Sequence, residues 1–128
     1  MSKQHRFLVC EHCGNLVGMI HDAGVKIMCC GQPMTELVAN TSDGAAEKHV
    51  PVATVSGDTV TVSVGSTLHP MTEEHFIDWI YLQTAQGGQR KNVCRDGKPE
   101  VTFALSGGDK PVAVFAYCNL HGLWKADL

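Results

Sequence analysis

The sequence predicts an all-β protein in which a small cysteine-rich module precedes a larger β-sandwich or barrel. Short apolar runs are separated by glycine and polar breaks, and valine alternates with threonine or serine over residues 59–64. No segment shows a sustained helical period. Residues 40–46 are small and polar, and they separate the cysteine-rich segment from the segment with alternating valines. We therefore expect a first domain over residues 1–39 and a second over 40–128, with 40–46 as the linker.

The apolar runs of the first module predict four short strands, at residues 7–9, 16–20, 25–28 and 36–39. The polar turn at residues 21–24 is expected to join the second and third strands as a hairpin. So short a module buries little apolar surface. Chains below about 40 residues usually need a metal or disulfides to fold.

In the second domain we predict strands at residues 59–64, 76–82, 101–105 and 112–117. Turn signals lie at residues 57–58, 96–98 and 106–109. Several short strands separated by turns are typical of a β-sandwich or barrel.

The composition indicates a globular protein that binds neither nucleic acid nor a membrane. Of 128 residues, 44% are hydrophobic and 18% are charged, and the net charge is −3. The sequence contains no run rich in Lys and Arg. It also lacks an apolar stretch near the roughly 20 residues of a spanning helix, and the N-terminal apolar run is too short for a signal peptide. We therefore expect a cytoplasmic protein.

Four of the six cysteines lie in the first module at the spacing of metal ligands: Cys10, Cys13, Cys29 and Cys30. Two thiolate pairs in neighbouring turns form a tetrahedral sulfur site, which selects iron or zinc. Gly14 and Gly31 follow the pairs and allow the backbone to turn around the metal. Two disulfides or a catalytic dithiol are less favoured alternatives in a cytosolic chain. The cysteines alone do not decide between zinc and iron.

A second candidate centre combines four histidines with one cysteine of the second domain: His49, His69, His75, Cys118 and His121. A lone histidine near a strand is more often structural, but five candidates at strand ends favour a metal centre. Imidazoles with a thiolate suit iron, and five ligands leave one octahedral position for reaction.

The charges around this candidate centre favour a small anion as its substrate. Ferrous iron with four neutral imidazoles and one thiolate keeps a single positive charge. Lys48 adds positive potential beside it, and Glu47 is within reach of the empty position.

The remaining histidines, cysteine and tryptophans are interpreted as structural. We expect His5, His12 and His21 to be surface residues and Cys94 to be a buried or idle thiol. Trp79 and Trp124 are expected to be packing residues, although either tryptophan is able to form a wall of a metal site.

Four segments together resemble the desulfoferrodoxin family, the two-iron form of superoxide reductase. They are Cys10-x-x-Cys13 with Cys29-Cys30, Glu47-Lys48-His49-x-Pro51, His69-Pro70-Met71 with His75 and then Trp79-Ile80, and Tyr117-Cys118-Asn119-x-His121-Gly122-x-Trp124-Lys125. The resemblance covers nearly the whole chain, and only Cys94 has no place in its metal pattern.

The resemblance implies a desulforedoxin-like iron–sulfur module followed by an immunoglobulin-like β-sandwich, paired as a homodimer. It implies two mononuclear iron ions per chain, the first bound by the four cysteines. The second has His49, His69, His75 and His121 as equatorial ligands and Cys118 as the axial ligand. Ferrous iron reduces superoxide by one electron to hydrogen peroxide, and Glu47 then takes the sixth position of ferric iron. A rubredoxin-like protein is the implied electron donor.

Three other functions remain open at the level of the sequence. They are a non-catalytic electron-transfer protein, a zinc-stabilised binding module and a superoxide dismutase. An open coordination position argues against the first, and the histidine-rich donor set fits the second poorly. The role of the first iron is also open between electron relay and structural stabilisation.

Overall fold

The computed structural model describes residues 3–128, and these form two compact units. The first unit ends at Val38, and the second is Ala39–Leu128. The predicted all-β class is confirmed, because the described elements are strands apart from one four-residue helix. The elements are β1 (Arg6–Val9), β2 (Leu16–Met19), β3 (Met28–Cys29), β4 (Gln32–Pro33), β5 (Thr35–Glu36), α1 (Ala46–His49), β6 (Pro51–Ser56), β7 (Thr59–Val64), β8 (Ile77–Thr84), β9 (Gly87–Asn92), β10 (Glu100–Ala104), β11 (Pro111–Cys118) and β12 (Gly122–Asp127).

The first unit consists of a three-stranded antiparallel sheet in the order β2-β1-β5 and a short β3-β4 hairpin. Only Phe7, Leu8 and Cys10 are buried among its described residues. Such a small apolar core agrees with the expectation that this unit depends on a metal.

Two expectations for the first unit are wrong. Residues 25–27 form no strand, because Val25 and Ile27 are exposed and no neighbouring strand pairs with them. The turn at residues 21–24 does not close a hairpin, since β2 pairs with β1 and β3 pairs with β4. It is instead an Asx-type turn, in which the N–H of Gly24 donates to Asp22 Oδ1 at 2.7 Å. The strand predicted over residues 36–39 is confirmed only in part, because the strand found there is Thr35–Glu36 and shares one residue with the prediction.

The second unit is an immunoglobulin-like sandwich of two antiparallel sheets, with strand orders β10-β7-β6 and β12-β11-β8-β9. Alternating valines of β7 point inward and are fully buried. They belong to one apolar cluster with Ile80 and Leu82 of β8, Phe103 of β10 and Val114 of β11. Because the cluster draws on both sheets, the sheets face each other across a common core.

Three strands of the sandwich carry no clear sequence signal: β6, β9 and β12. All three lie at sheet edges. An edge strand is partly exposed, so its side chains need not alternate between apolar and polar. In β9 no residue is fully buried, and only Gly87 and Gln89 are half-buried. Helix α1 begins at Ala46, the last residue of the expected linker.

The topology gathers chain segments at one end of the sandwich. Pro51 at the start of β6 lies opposite Val64 at the end of β7, and Ile77 at the start of β8 lies opposite Cys118 at the end of β11. The loops between these ends carry the candidate histidines. No helix within residues 3–128 has the length and apolar character needed to cross a membrane.

Candidate metal centres

The structure brings the four cysteines of the first module together. Their sulfur atoms all lie within 4.8 Å of one another, and the Sγ atoms of Cys13 and Cys29 are 3.7 Å apart. One pair follows β1 and the other lies at the end of β3. Four sulfur atoms at these distances fit a single ion of the kind that thiolates hold tetrahedrally.

The vicinal pair reaches this arrangement through an unusual backbone. Cys30 has φ 53° and Gly31 has φ 76°, so two consecutive residues are in the left-handed region. For a residue with a Cβ, this conformation costs about 1–2 kcal/mol. A bound ion that uses both sulfur atoms offsets that cost.

The thiols of the first centre have opposing proton affinities. Backbone donors, first the N–H of Cys13 and then that of His12, lower the pKa of Cys10 to about 6. Neighbouring sulfur atoms raise the pKa of Cys29, first through Cys10, and raise that of Cys30 to about 12, first through Cys13. The thiols of Cys10, Cys29 and Cys30 therefore do not all ionise here without a cation, which is the behaviour of a metal site.

The second candidate centre forms at the gathered end of the sandwich. Ring nitrogens of His49, His75 and His121 and the Sγ of Cys118 all lie within 4.8 Å of one another. Nε2 of His69 is 3.4 Å from the same sulfur atom. The five donors come from α1, the β7–β8 loop, the end of β11 and the β11–β12 turn.

Backbone carbonyl groups fix which ring nitrogen faces the centre. Nδ1 of His49 donates to the carbonyl of Ala45 at 2.8 Å, and Nδ1 of His69 donates to that of Pro70 at 2.7 Å. Because a carbonyl oxygen only accepts, each Nδ1 carries the proton and each Nε2 keeps a free lone pair. His121 differs, since its Nδ1 lies 3.1 Å from His49 Nε2 and 3.8 Å from the Cys118 sulfur atom.

Burial keeps the imidazoles of His49, His69 and His75 neutral. Desolvation lowers the pKa of His49 and His75, and it lowers that of His69 to about 4. At neutral pH the rings are therefore unprotonated and able to bind a metal. His75 Nε2 is buried and has no hydrogen-bond partner in the described part of the chain. An orphaned nitrogen beside the four other donors fits a residue that binds a metal ion.

Trp124 forms a wall of this centre, one of the two roles considered for it. Its ring stacks on His49 with centroids 4.9 Å apart, and its Nε1 donates to the carbonyl of His121 at 3.0 Å. Trp79 stacks instead on Tyr117, with centroids 5.5 Å apart, and serves packing.

Glu47 and Lys48 lie beside the donors on α1, and both are exposed. The positive charge of Lys48 contributes to lowering the pKa of His49 and His75, so its field reaches the centre. The field of Glu47 acts on His49 in the opposite direction. The sequence places these two charges correctly beside the histidines, although it does not show what holds the helix there.

Gly65 is a residue that the sequence analysis missed. A Cβ at this position would lie 2.6 Å from the carbonyl oxygen of Glu47 and 3.0 Å from that of Val50. The same Glu47 carbonyl accepts the N–H of Thr67 at 2.8 Å. The α1 backbone thus rests directly on the loop after β7, and no pattern in the sequence marks this contact.

The residues assigned structural roles lie outside both donor groups found within residues 3–128. His12 and His21 are exposed and His5 is half-buried. Cys94 is exposed, so the buried alternative is wrong, and its sulfur atom donates to Asp96 Oδ1 at 2.6 Å.

Known proteins resemble the chain over its full length. A family model described as Desulfoferrodoxin, N-terminal domain, matches residues 3–37, and one described as Desulfoferrodoxin matches residues 41–127. Desulfoferrodoxin from Syntrophotalea carbinolica is 44% identical, and that from Nitratidesulfovibrio vulgaris is 46% identical; in both cases 99% of each chain is covered. The solved superoxide reductase from Treponema pallidum superposes with a TM-score of 0.83 at 41% identity, covering 98% of this chain and 100% of that one.

Gly65→Ala is expected to displace α1 and loosen the backbone around Glu47. Its Cβ would overlap the Glu47 carbonyl, and overpacking of this kind costs about 1–3 kcal/mol of unfolding free energy. Hydrogen exchange should accelerate at the amide of Thr67. Gly107→Ala is the control, because its Cβ meets nothing within 4 Å. Unchanged exchange at Thr67 in the Gly65 variant would contradict this role.

Proposed function

The chain belongs to the desulfoferrodoxin family, and from that premise we propose that it is a superoxide reductase. The reaction occurs at the second centre and converts superoxide to hydrogen peroxide. The observation that carries this proposal is the convergence of four imidazoles and one buried cysteine beside an exposed lysine. Superoxide reductases among the solved structures similar to this chain support the same reaction.

Two mononuclear iron ions fit the two donor sets of this chain. The four cysteines would hold the first ion, and the second would be held by His49, His69, His75, His121 and Cys118. Ferrous iron in the second set would supply the electron that superoxide needs. The remaining requirements are binding of an anion, delivery of protons and protection of the ligand set, and these fall to side chains of the protein.

Lys48 serves the binding of superoxide. Its ammonium is exposed, so an approaching anion meets it in solvent, and its field reaches the donors at His49 and His75. We assign Glu47, next to it on α1, the role of the carboxylate that would bind the ion in the oxidised protein. The thiolate of Cys118 would donate electron density to that ion, which would favour release of the intact product.

The reaction balances without a second superoxide. One superoxide, one electron and two protons give one hydrogen peroxide, and no oxygen is released. His75 and His121 are half-buried, so the centre is close to solvent, which supplies the protons. A buried site without water access would lack this proton source.

We assign the first centre a structural role. Four thiolates complete its coordination, so it offers no position for superoxide. The first unit buries few apolar side chains among its described residues, and metal binding supplies folding free energy to such units. Relay of electrons is the alternative role, and it makes a different prediction for the loss of one ligand.

Homodimer formation, a rubredoxin-like electron donor and a cytoplasmic location complete the proposal. Exposed apolar side chains of the first unit support association of two copies: Ile20, Val25, Met28 and Val38. Clustered thiols that bind metal support a reducing compartment. An external donor is required because each turnover consumes one electron.

Reduced, iron-loaded protein should convert one superoxide to one hydrogen peroxide without releasing oxygen. The measurement is a known dose of superoxide added anaerobically, with peroxide and oxygen both counted. Half as much peroxide together with oxygen would indicate a dismutase. No consumption above background would favour an electron-transfer protein instead.

Lys48→Ala should slow the reaction with superoxide by about threefold to tenfold at low ionic strength, because one attracting charge is lost. The salt dependence of the rate should flatten as well. Stopped-flow mixing over a range of salt concentrations measures both effects. Lys110→Ala is the matched control: it changes the net charge equally, but Lys110 precedes β11 at the end opposite Cys118. Equal rates for the parent and the Lys48 variant at low salt would contradict the role of Lys48 in attracting superoxide.

Cys13→Ser should destabilise the first centre and leave the second intact. We expect faster proteolysis of the first unit and loss of its visible thiolate absorption. The rate of a single superoxide turnover should stay within about twofold of the parent, because the second donor set is unchanged. Cys94→Ser is the control, since Cys94 belongs to neither donor group. Turnover sustained by an external electron donor should also persist if the first centre is structural. A folded Cys13 variant that keeps single-turnover reactivity but loses donor-sustained turnover would favour the relay role.

A further inference from the structure

Asn119 binds the loop that carries His75 through both groups of its side chain. Its Oδ1 accepts the N–H of Phe76 at 2.9 Å, and its Nδ2 donates to the carbonyl of Glu74 at 2.8 Å. Its own backbone N–H donates to the carbonyl of Phe76 at 3.2 Å. Three hydrogen bonds thus reach the residues on either side of His75, and Asn119 directly follows Cys118 in the chain.

His75 needs such support more than the other histidines of the centre. The rings of His49 and His69 are oriented by their own Nδ1 hydrogen bonds to carbonyl groups. The carbonyl of His121 is held by Trp124 and by the hydroxyl of Ser42. The His75 ring contacts the rings of His69 and His121, with centroids 4.5 Å and 5.1 Å away, but no hydrogen bond holds it to any residue within 3–128. Its direction therefore depends more on its backbone than that of the other rings.

The backbone of His75 is held on its other side by a tight turn. Its N–H donates to Thr72 Oγ1 at 3.0 Å, and its carbonyl accepts the N–H of Thr72 at 2.9 Å. This turn shapes the loop locally. Among these hydrogen bonds, only those of Asn119 join the loop to the strand end that carries the cysteine ligand.

We propose that Asn119 is a positioning residue of the second metal centre. By joining Glu74 and Phe76 to the Cys118 turn, its amide sets the direction of His75 Nε2 relative to the Cys118 sulfur atom. Both side-chain hydrogen bonds are needed, because one alone leaves the loop free to rotate about it. The inference rests on the second centre of the proposed function and not on superoxide chemistry.

The test is the cobalt(II) affinity of both centres in the full chain, prepared free of iron and titrated against a competing chelator. Each thiolate-bound cobalt ion is followed by its visible absorption. Asn119→Ala should raise the cobalt dissociation constant of the second centre by about tenfold. Loss of a hydrogen-bonding residue that orients a metal ligand commonly has an effect of this size. The four-cysteine centre of the same molecule is the internal control and should change by less than about twofold.

Asn119→Asp keeps the shape and the acceptor for Phe76 but loses the donor to Glu74, and it should weaken cobalt binding as well. Gln89→Ala is the matched control. It removes a hydrogen bond from a side-chain amide to the carbonyl of Ala104, and neither residue belongs to the metal donors. Parent-like cobalt affinity in Asn119→Ala, with faster amide exchange at Phe76, would overturn the proposal. If that variant does not fold, parent-like affinity in Asn119→Asp overturns it.

Superoxide is absent from this measurement, so the two proposals fail separately. A chain without superoxide reduction but with weakened cobalt binding in the variants keeps Asn119 as a positioning residue. A chain with superoxide reduction and unchanged cobalt affinities loses the role of Asn119 alone.

Discussion

Burial of uncharged imidazoles at one end of the sandwich is the constraint on which the second centre depends. A histidine withdrawn from water resists protonation, and the pKa of His69 falls to about 4 for this reason. Burial alone would leave two polar nitrogens per ring without partners. Carbonyl groups satisfy one nitrogen of His49 and of His69, so the other is left to a metal. The tautomers and the ligand directions therefore follow from the same backbone contacts.

The two units differ in how the surrounding fold supports the metal donors. In the second, an apolar core shared by two sheets supports the donors, which lie in α1, in loops and at a strand end around that core. In the first, few side chains are buried, and the left-handed Cys30 has no apolar core around it to offset its strain. There the metal and the fold depend on each other, which is why four thiolates suit this unit while a mixed donor set suits the sandwich.

The sequence predicts the all-β class, both donor sets and the central strands, because these have strong local signals. Alternating valines mark β7, and a continuous apolar run marks β11. β9 lacks such a signal, because its sequence contains no large apolar residue and none of its residues is buried. The Gly65 contact and the Asn119 hydrogen bonds were also out of reach, because each joins residues distant in the chain and depends on how close two backbones come. Local patterns thus indicate which residues bind, while tertiary contacts determine how they are aimed.

One charge beside the second centre serves two requirements that a metal site for an anion must meet together. A cation near neutral imidazoles opposes their protonation, as Lys48 does at His49 and His75. The same cation raises the local concentration of an anion such as superoxide. A carboxylate in its place would favour protonated rings and repel the substrate, so both effects would work against the reaction. Glu47 lies next to Lys48 on α1 with the opposite charge, and its effect on His49 is the weaker of the two. The pair therefore leaves a net positive influence on His49.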